Sequence, residues 1–163
     1  LGIDNAVQNK FVWARPRFIT ERKYRQLQRY KVFPGDVLIT IMGTCGRCAV
    51  VPDDIPTAIN TKHLCCISLD RSRCLPLYLQ ACFLLHPKIQ HRLGIKERGA
   101  VMPGLNMQLI KELKVPLPPL PLQCEFARRV VAVEKLKATH RASLAEMDAL
   151  FASLQHRAFR EEL

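Results

Sequence analysis

Lys114-Val115-Pro116-Leu117-Pro118-Pro119-Leu120-Pro121-Leu122-Gln123 decides how this chain is built. Proline fixes φ and has no backbone N–H, so four prolines within six positions exclude a helix there and predict a stiff extended arm. From Gln123 onward neither Gly nor Pro occurs, and Ala, Leu, Glu, Lys, Arg and Gln dominate, all good helix formers. The arm therefore leads into one long helix. It divides the chain into a globular part at residues 1–122 and a helix at residues 123–163.

That helix carries a repeat. Phe126, Val130, Val133, Lys137, His140, Leu144, Met147, Phe151, Leu154 and Ala158 step alternately by four and three residues, the 3.5-residue period of a coiled coil. The two polar positions, Lys137 and His140, fall together in the middle, where such residues weaken a seam but fix its register. Residues 123–160 as a helix are about 57 Å long at about 1.5 Å per residue. A domain of about 120 residues is only about 30 Å across, so the helix is expected to outrun its own domain. The seam made by Phe126, Val130, Val133, Leu144, Met147, Phe151 and Leu154 then requires a partner helix.

The charge lies on the other part. Of a net +11, residues 1–122 hold 18 Lys+Arg against 8 Asp+Glu, and residues 123–163 hold 7 against 6. A basic globular domain points to a polyanion, nucleic acid being the commonest, with a solubilising surface as the plain alternative. An apolar fraction of 48% supports a packed core and argues against wholesale disorder. No apolar run is long enough to span a bilayer. The seven cysteines, odd in number and several within apolar runs, suit a reduced, cytoplasmic setting in which most are small hydrophobes. No secretory signal opens the chain, and a start at Leu1 rather than Met reads as a piece of something longer.

Within the globular part, Phe11-Val12-Trp13 reads as a short strand and Ala14-Arg15-Pro16-Arg17 as a basic turn. Thr20 can cap a short helix carrying Arg22, Lys23, Arg25 and Arg29, with Tyr24, Leu27 and Tyr30 as its inner face. Pro34-Gly35-Asp36 is a turn. Val37-Leu38-Ile39-Thr40-Ile41-Met42 is a buried strand, returned through Gly43-Thr44-Cys45-Gly46-Arg47 into Cys48-Ala49-Val50-Val51, a β-hairpin with Arg47 near its tip. Residues 57–61 and 63–69 continue as strands. A helix from Leu75 to about Leu85, with Pro76 in its first turn, is apolar all round and so predicted to be central to the core. A second short helix runs from Pro87 to Leu93. Residues 94–104 hold three Gly and a Pro and read as a loop, after which Asn106 caps a helix to Leu113. The expected class is α+β: a small β-rich domain followed by a long coiled-coil helix.

No catalytic constellation emerges. Cys45-x-x-Cys48 with Cys65-Cys66 could suggest zinc, but adjacent strand residues face opposite ways and no second C-x-x-C occurs, so no metal or other cofactor is expected. The Gly43/Gly46 turn lacks the Gly-Lys-Ser/Thr ending of a phosphate-binding loop. The basic loops and first helix argue instead for recognition, because Arg reads guanine bidentately and Arg and Lys both bind phosphates. The candidate DNA-binding residues are Arg15, Arg17, Arg22, Lys23, Arg25, Arg29, Arg47, Lys62, Lys96 and Arg98. Trp13, Tyr24 and Tyr30 could stack on bases but more ordinarily belong to a core.

Phe18-Ile19-Thr20 with the basic helix, Pro34-Gly35-Asp36-Val37-Leu38-Ile39, Gly43-Thr44-x-Gly46-Arg47-x-Ala49-Val50-Val51-Pro52 and the Val115-to-Gln123 proline arm together resemble the specificity subunit of type I restriction–modification enzymes. So do Tyr78-Leu79, the stretch before Leu105-Asn106, Leu109 through Leu113, and Leu154-x-x-x-Ala158-Phe159; the family's usual Ala-Phe-x-Gly-x-Leu ending is here Arg160-Glu161-Glu162-Leu163. The resemblance implies a non-catalytic reader of double-stranded DNA in a system that defends against foreign DNA. Two target-recognition domains each read half of a bipartite site, and two antiparallel helices set the gap and dock methyltransferase subunits; restriction subunits cleave. It implies that this chain is half of a larger subunit or a half-subunit that dimerises. Two other readings stay open: the recognition segment of a fused restriction–methyltransferase polypeptide, and a protein-interaction module whose basic surface meets an acidic partner.

Overall fold

The computed structural model describes residues 1–94 and 104–160. The chain divides into two compact units, residues 1–123 and 124–163. It is an α+β fold with small sheets and a long C-terminal helix.

The core of the first unit is built on β2 (Val37–Thr40), every residue of which is buried. It is the middle strand of an antiparallel sheet, between β3 (Cys48–Val50) and β5 (Leu64–Ile67). The register sets Ile39 opposite Cys48 on one side and Cys65 on the other, and Leu38 opposite Ala49 and Cys66. Because strand side chains alternate, Val37 and Ile39 enter one apolar cluster with Cys48, Cys65 and the helices, and Leu38 enters a second with Ala6, Val32, Ala49 and Val51. A sheet covered on both faces needs a continuous apolar run in its central strand, which is how Val37-Leu38-Ile39 reads. A separate two-stranded ribbon pairs β1 (Lys31–Val32) with β4 (Ala58–Ile59). The turn into β2 bonds Asp36 N–H to the Phe33 carbonyl at 3.1 Å and puts Gly35 at φ +76°, beyond easy reach of other residues. A Cβ at Gly35 would also collide with the Arg71 guanidinium, which donates to the Pro34 carbonyl.

The helices follow from their caps. In α1 (Glu21–Leu27) the Thr20 hydroxyl accepts from Lys23 N–H at 3.3 Å, and a 3₁₀ turn (Gln28–Tyr30) follows. In α4 (Met107–Lys111) Asn106 Oδ1 accepts from Gln108 N–H at 2.8 Å. Helices α2 (Pro76–Leu85) and α3 (Pro87–Arg92) each begin on a proline, whose missing N–H would have no intrahelical partner there. Gln80 on α2 donates to the carbonyls of Asn9 and Cys48, both at 2.8 Å, tying the helix to the hairpin.

Some expectations need correction. Residues 11–13 are not a strand: Asn5 takes both backbone groups of Val12, its carbonyl accepting the Val12 N–H at 3.1 Å and its side-chain amide donating to the Val12 carbonyl at 3.0 Å. Helix α2 is not buried all round; Leu79, Cys82 and Phe83 face the core, whereas Leu85 is exposed. Trp13 and Tyr30 are exposed rather than core residues, and Trp13 meets Phe11 edge to face. The predicted loop at 94–104 lies almost wholly outside the described residues.

Helix α5 (Leu120–Phe159) starts within the proline arm, three residues before Gln123. Pro121 is tolerated because the first N–H groups of a helix have no intrahelical acceptor. The Pro119 carbonyl accepts from Leu122 N–H at 3.0 Å and closes this first turn. Gln123 is the key residue of the join. It is 0% exposed, accepts from Leu75 N–H at 2.9 Å, and donates to the carbonyls of Arg73 (2.9 Å) and Pro118 (2.8 Å). One amide thus satisfies three backbone groups of two loops, which only a side chain with both donor and acceptor can do.

The second unit, taken by itself, is the rest of α5. Ion pairs run along its surface: Glu125 with Arg128 and Arg129, and Glu134 with Lys137. Hydrogen bonds from Arg129 and then Arg128 hold the Glu125 carboxyl below its usual range. No described helix is long and apolar enough to cross a membrane.

Candidate nucleic-acid interface

Residues 15–31 contain Arg15, Arg17, Arg22, Lys23, Arg25, Arg29 and Lys31 against a single carboxylate, Glu21, and not one of them is buried. Tyr24 and Leu27 are half-buried, so the expected inner face of α1 exists but is thin. A solvated helix with so little to bury is held by its cap and its neighbours rather than by a core.

The cations of this segment differ in what they touch. Arg17 reaches Asp4 at 2.5 Å and Arg25 reaches Glu21 at 2.5 Å, one helical turn back. The Arg29 guanidinium lies over the Tyr30 ring at 4.7 Å, and the Lys31 ammonium over Phe33 at 5.1 Å. Arg15, Arg22 and Lys23 extend exposed side chains that bond to no other described residue. Exposed ion pairs are worth about 0–1 kcal/mol, so a phosphate can displace the carboxylates at small cost.

Arg17 also lines an open depression of about 480 Å³ with Gly2, Ile3, Asp4, Val7 and His63. This brings the basic segment beside the turn before β5, where Lys62 is exposed. Arg47 sits on a different loop, the connection from β2 to β3. That loop is locked from below by Thr40, which is fully buried. Its hydroxyl accepts from Arg47 N–H at 2.9 Å and donates to the Thr44 carbonyl, while Gly46 N–H bonds the Thr40 carbonyl at 2.9 Å. Arg47 is therefore an exposed cation on a fixed backbone. Lys96 and Arg98 lie outside the described residues.

Sequence reasoning missed Thr40 and Gln123 as organising residues. A Thr ending an apolar strand run just before a Gly-flanked turn, and a lone amide closing a proline arm, were the available signals. No group of three or more His, Cys, Asp or Glu among the described residues could hold a metal ion. The Cys48 and Cys66 thiols are pushed well up by burial, with the Asp36 carboxylate beside Cys66 adding to the shift. Burial that holds a thiol in its neutral form favours packing over reactivity.

The family of the type I restriction modification DNA specificity domain matches residues 4–147. The type I restriction enzyme EcoBI specificity subunit of Escherichia coli is 31% identical over 142 residues, which cover 85% of this chain and 30% of that protein. A chain from a structure of the assembly and conformational transition of a type I R-M system superposes with a TM-score of 0.61 at 26% identity, over 80% of this chain and 34% of its own length. The HsdS subunit from Thermoanaerobacter tengcongensis shares the fold, with a TM-score of 0.62 at 23% identity over 86% and 36% of the two chains. The present chain thus spans about a third of the length of these relatives.

Proposed function

The chain belongs to the type I restriction–modification specificity-subunit family, and from that premise we propose that residues 1–122 read one half of a bipartite double-stranded DNA target. As a specificity-subunit chain it is non-catalytic. Methylation and cleavage belong to methyltransferase and restriction subunits that it directs, in the cytoplasm, as a defence against foreign DNA. Residues 123–163 act as the spacer, pairing along Phe126, Val130, Val133, Leu144, Met147, Phe151 and Leu154 with a second such helix, from the same subunit or from a homodimer partner.

The observation that carries the reading is the basic segment at residues 15–31, with seven cations, one carboxylate and no buried residue. A surface of this kind neutralises phosphates and releases their counterions, so affinity falls as salt rises. Arg15, Arg22 and Lys23 hold phosphates, and Arg47 on its fixed loop reaches base edges.

Replacing Arg15, Arg22 and Lys23 together with Gln is expected to weaken binding to all duplexes alike. The slope of log affinity against log salt should become shallower by about 2–3, since each phosphate left without its cation lowers it by about 0.9. A salt titration by fluorescence anisotropy measures this. An unchanged slope with unchanged affinity would remove the segment from the interface.

A further inference from the structure

Phe18 is the most exposed large apolar side chain among the described residues, at 89%. Its neighbour Ile19 is also exposed. An apolar ring in water is unremarkable when a chain is free to move. Here the backbone just after the ring is held by a helix cap, and the side chain just before it is ion-paired. Arg17, immediately before, is bonded to Asp4 at 2.5 Å. Thr20, two residues on, caps α1, accepting from Lys23 N–H through its side chain and from Tyr24 N–H at 2.9 Å through its carbonyl. The ring is therefore presented two residues before a fixed helix cap, beside an exposed ion pair that a phosphate can open.

Its surroundings decide what it meets. Arg15, Arg17, Arg22, Lys23 and Arg25 all lie within seven residues of Phe18, with Glu21 the one carboxylate among them. A protein partner that covered the ring with apolar surface would have to desolvate this cluster of cations. Duplex DNA neutralises the cations with phosphates and offers apolar base faces and thymine methyls between them.

We propose that Phe18, backed by Ile19, is an apolar wedge that contacts the bases of bound duplex DNA between the phosphates held by the flanking cations. This rests on the DNA-recognition reading given above. The wedge supplies contact with the bases themselves, which no cation–phosphate pair does, and so contributes to affinity and to the choice of base step without altering the salt slope.

The test uses the intact protein assembled with its methyltransferase subunits, and duplexes carrying its target with 2-aminopurine placed at successive steps. Phe18→Ala should weaken target binding about tenfold or more, leave the salt slope and the thermal midpoint unchanged, and abolish the fluorescence rise at one step. Phe18→Leu should keep most of the affinity. If the wild type binds its target but Phe18→Ala binds equally well with the same fluorescence, the wedge is wrong while the recognition reading stands. If Phe18→Ala instead blocks assembly with the methyltransferase subunits, the ring docks protein and the proposal is overturned. If the wild-type assembly shows no preference for any duplex, the recognition reading itself fails.

Discussion

Replacing Leu144, Met147, Phe151 and Leu154 together with Ser is expected, where two copies of the chain pair along this seam, to convert a dimer to a monomer in sedimentation experiments at tens of micromolar protein. These four side chains are 54, 60, 62 and 42% exposed in the single chain, and they follow one another at the seam spacing. Burying them against a second helix contributes about 1–2 kcal/mol each. With four on each helix the loss is on the order of 8 kcal/mol, roughly a million-fold in the dissociation constant. Leu136 and Leu150, each one position before a seam residue and exposed, widen the stripe, so Lys137 need not leave a gap in it. Lys137 is instead bonded to Glu134 at 2.8 Å along the helix surface. Changing Lys137 and His140 to Leu should therefore strengthen pairing while loosening its register. A wild-type chain that sediments as a monomer would exclude pairing between copies, and a serine-substituted seam that leaves the assembly of the intact subunit unchanged would remove the seam as drawn.

The second large effect falls on Gln123. Gln123→Met keeps the bulk of the side chain but leaves Leu75 N–H and the Arg73 and Pro118 carbonyls without their partner. A buried polar group left unsatisfied costs about 1–3 kcal/mol, so the total is about 3–5 kcal/mol. That is a large part of the roughly 5–15 kcal/mol by which a domain is stable. A urea titration should show the midpoint falling by about 2 M at an ordinary slope for a domain of this size. Gln123→Glu should be at least as damaging. It can still accept from Leu75 N–H, but it sets a carboxylate against two carbonyls. A change below about 0.5 kcal/mol in both variants would mean that the amide is a bystander of the join rather than its fastening.

Gln123 also marks where sequence reading ran out. The proline arm, the long helix and the β2–β3 hairpin were legible because Pro and Gly punctuate the chain and because Thr20, Pro76 and Asn106 are specific start signals. What the arm bonds to is set by residues some fifty positions earlier, at Arg73 and Leu75, and no local pattern encodes that distance. The same holds for β1. Two residues are too few to show a period, and Lys31 becomes a strand residue only because Ile59 pairs with it. Residues 11–13 erred the other way: three apolar residues resemble a strand, yet Asn5 had already taken the backbone of Val12. At the candidate interface the residue types were legible but not their states. Arg17 and Arg25 are paired to carboxylates, Arg29 and Lys31 are set over rings, and Arg15, Arg22 and Lys23 are bonded to no described side chain. One-letter identity does not separate these groups. The exposure of Phe18 was equally hidden, since an aromatic next to Ile reads as core.

If residues 1–122 choose a DNA sequence, selection from a random duplex library with the intact protein shows it most directly, repeated after residues 1–122 are exchanged for those of a relative with a different target. A bipartite consensus is expected in the first selection and, in the second, a change in one half only, with the gap between halves unchanged. A consensus that survives the exchange intact, or enrichment of duplexes with no base preference at all, would contradict a sequence-reading role for these residues.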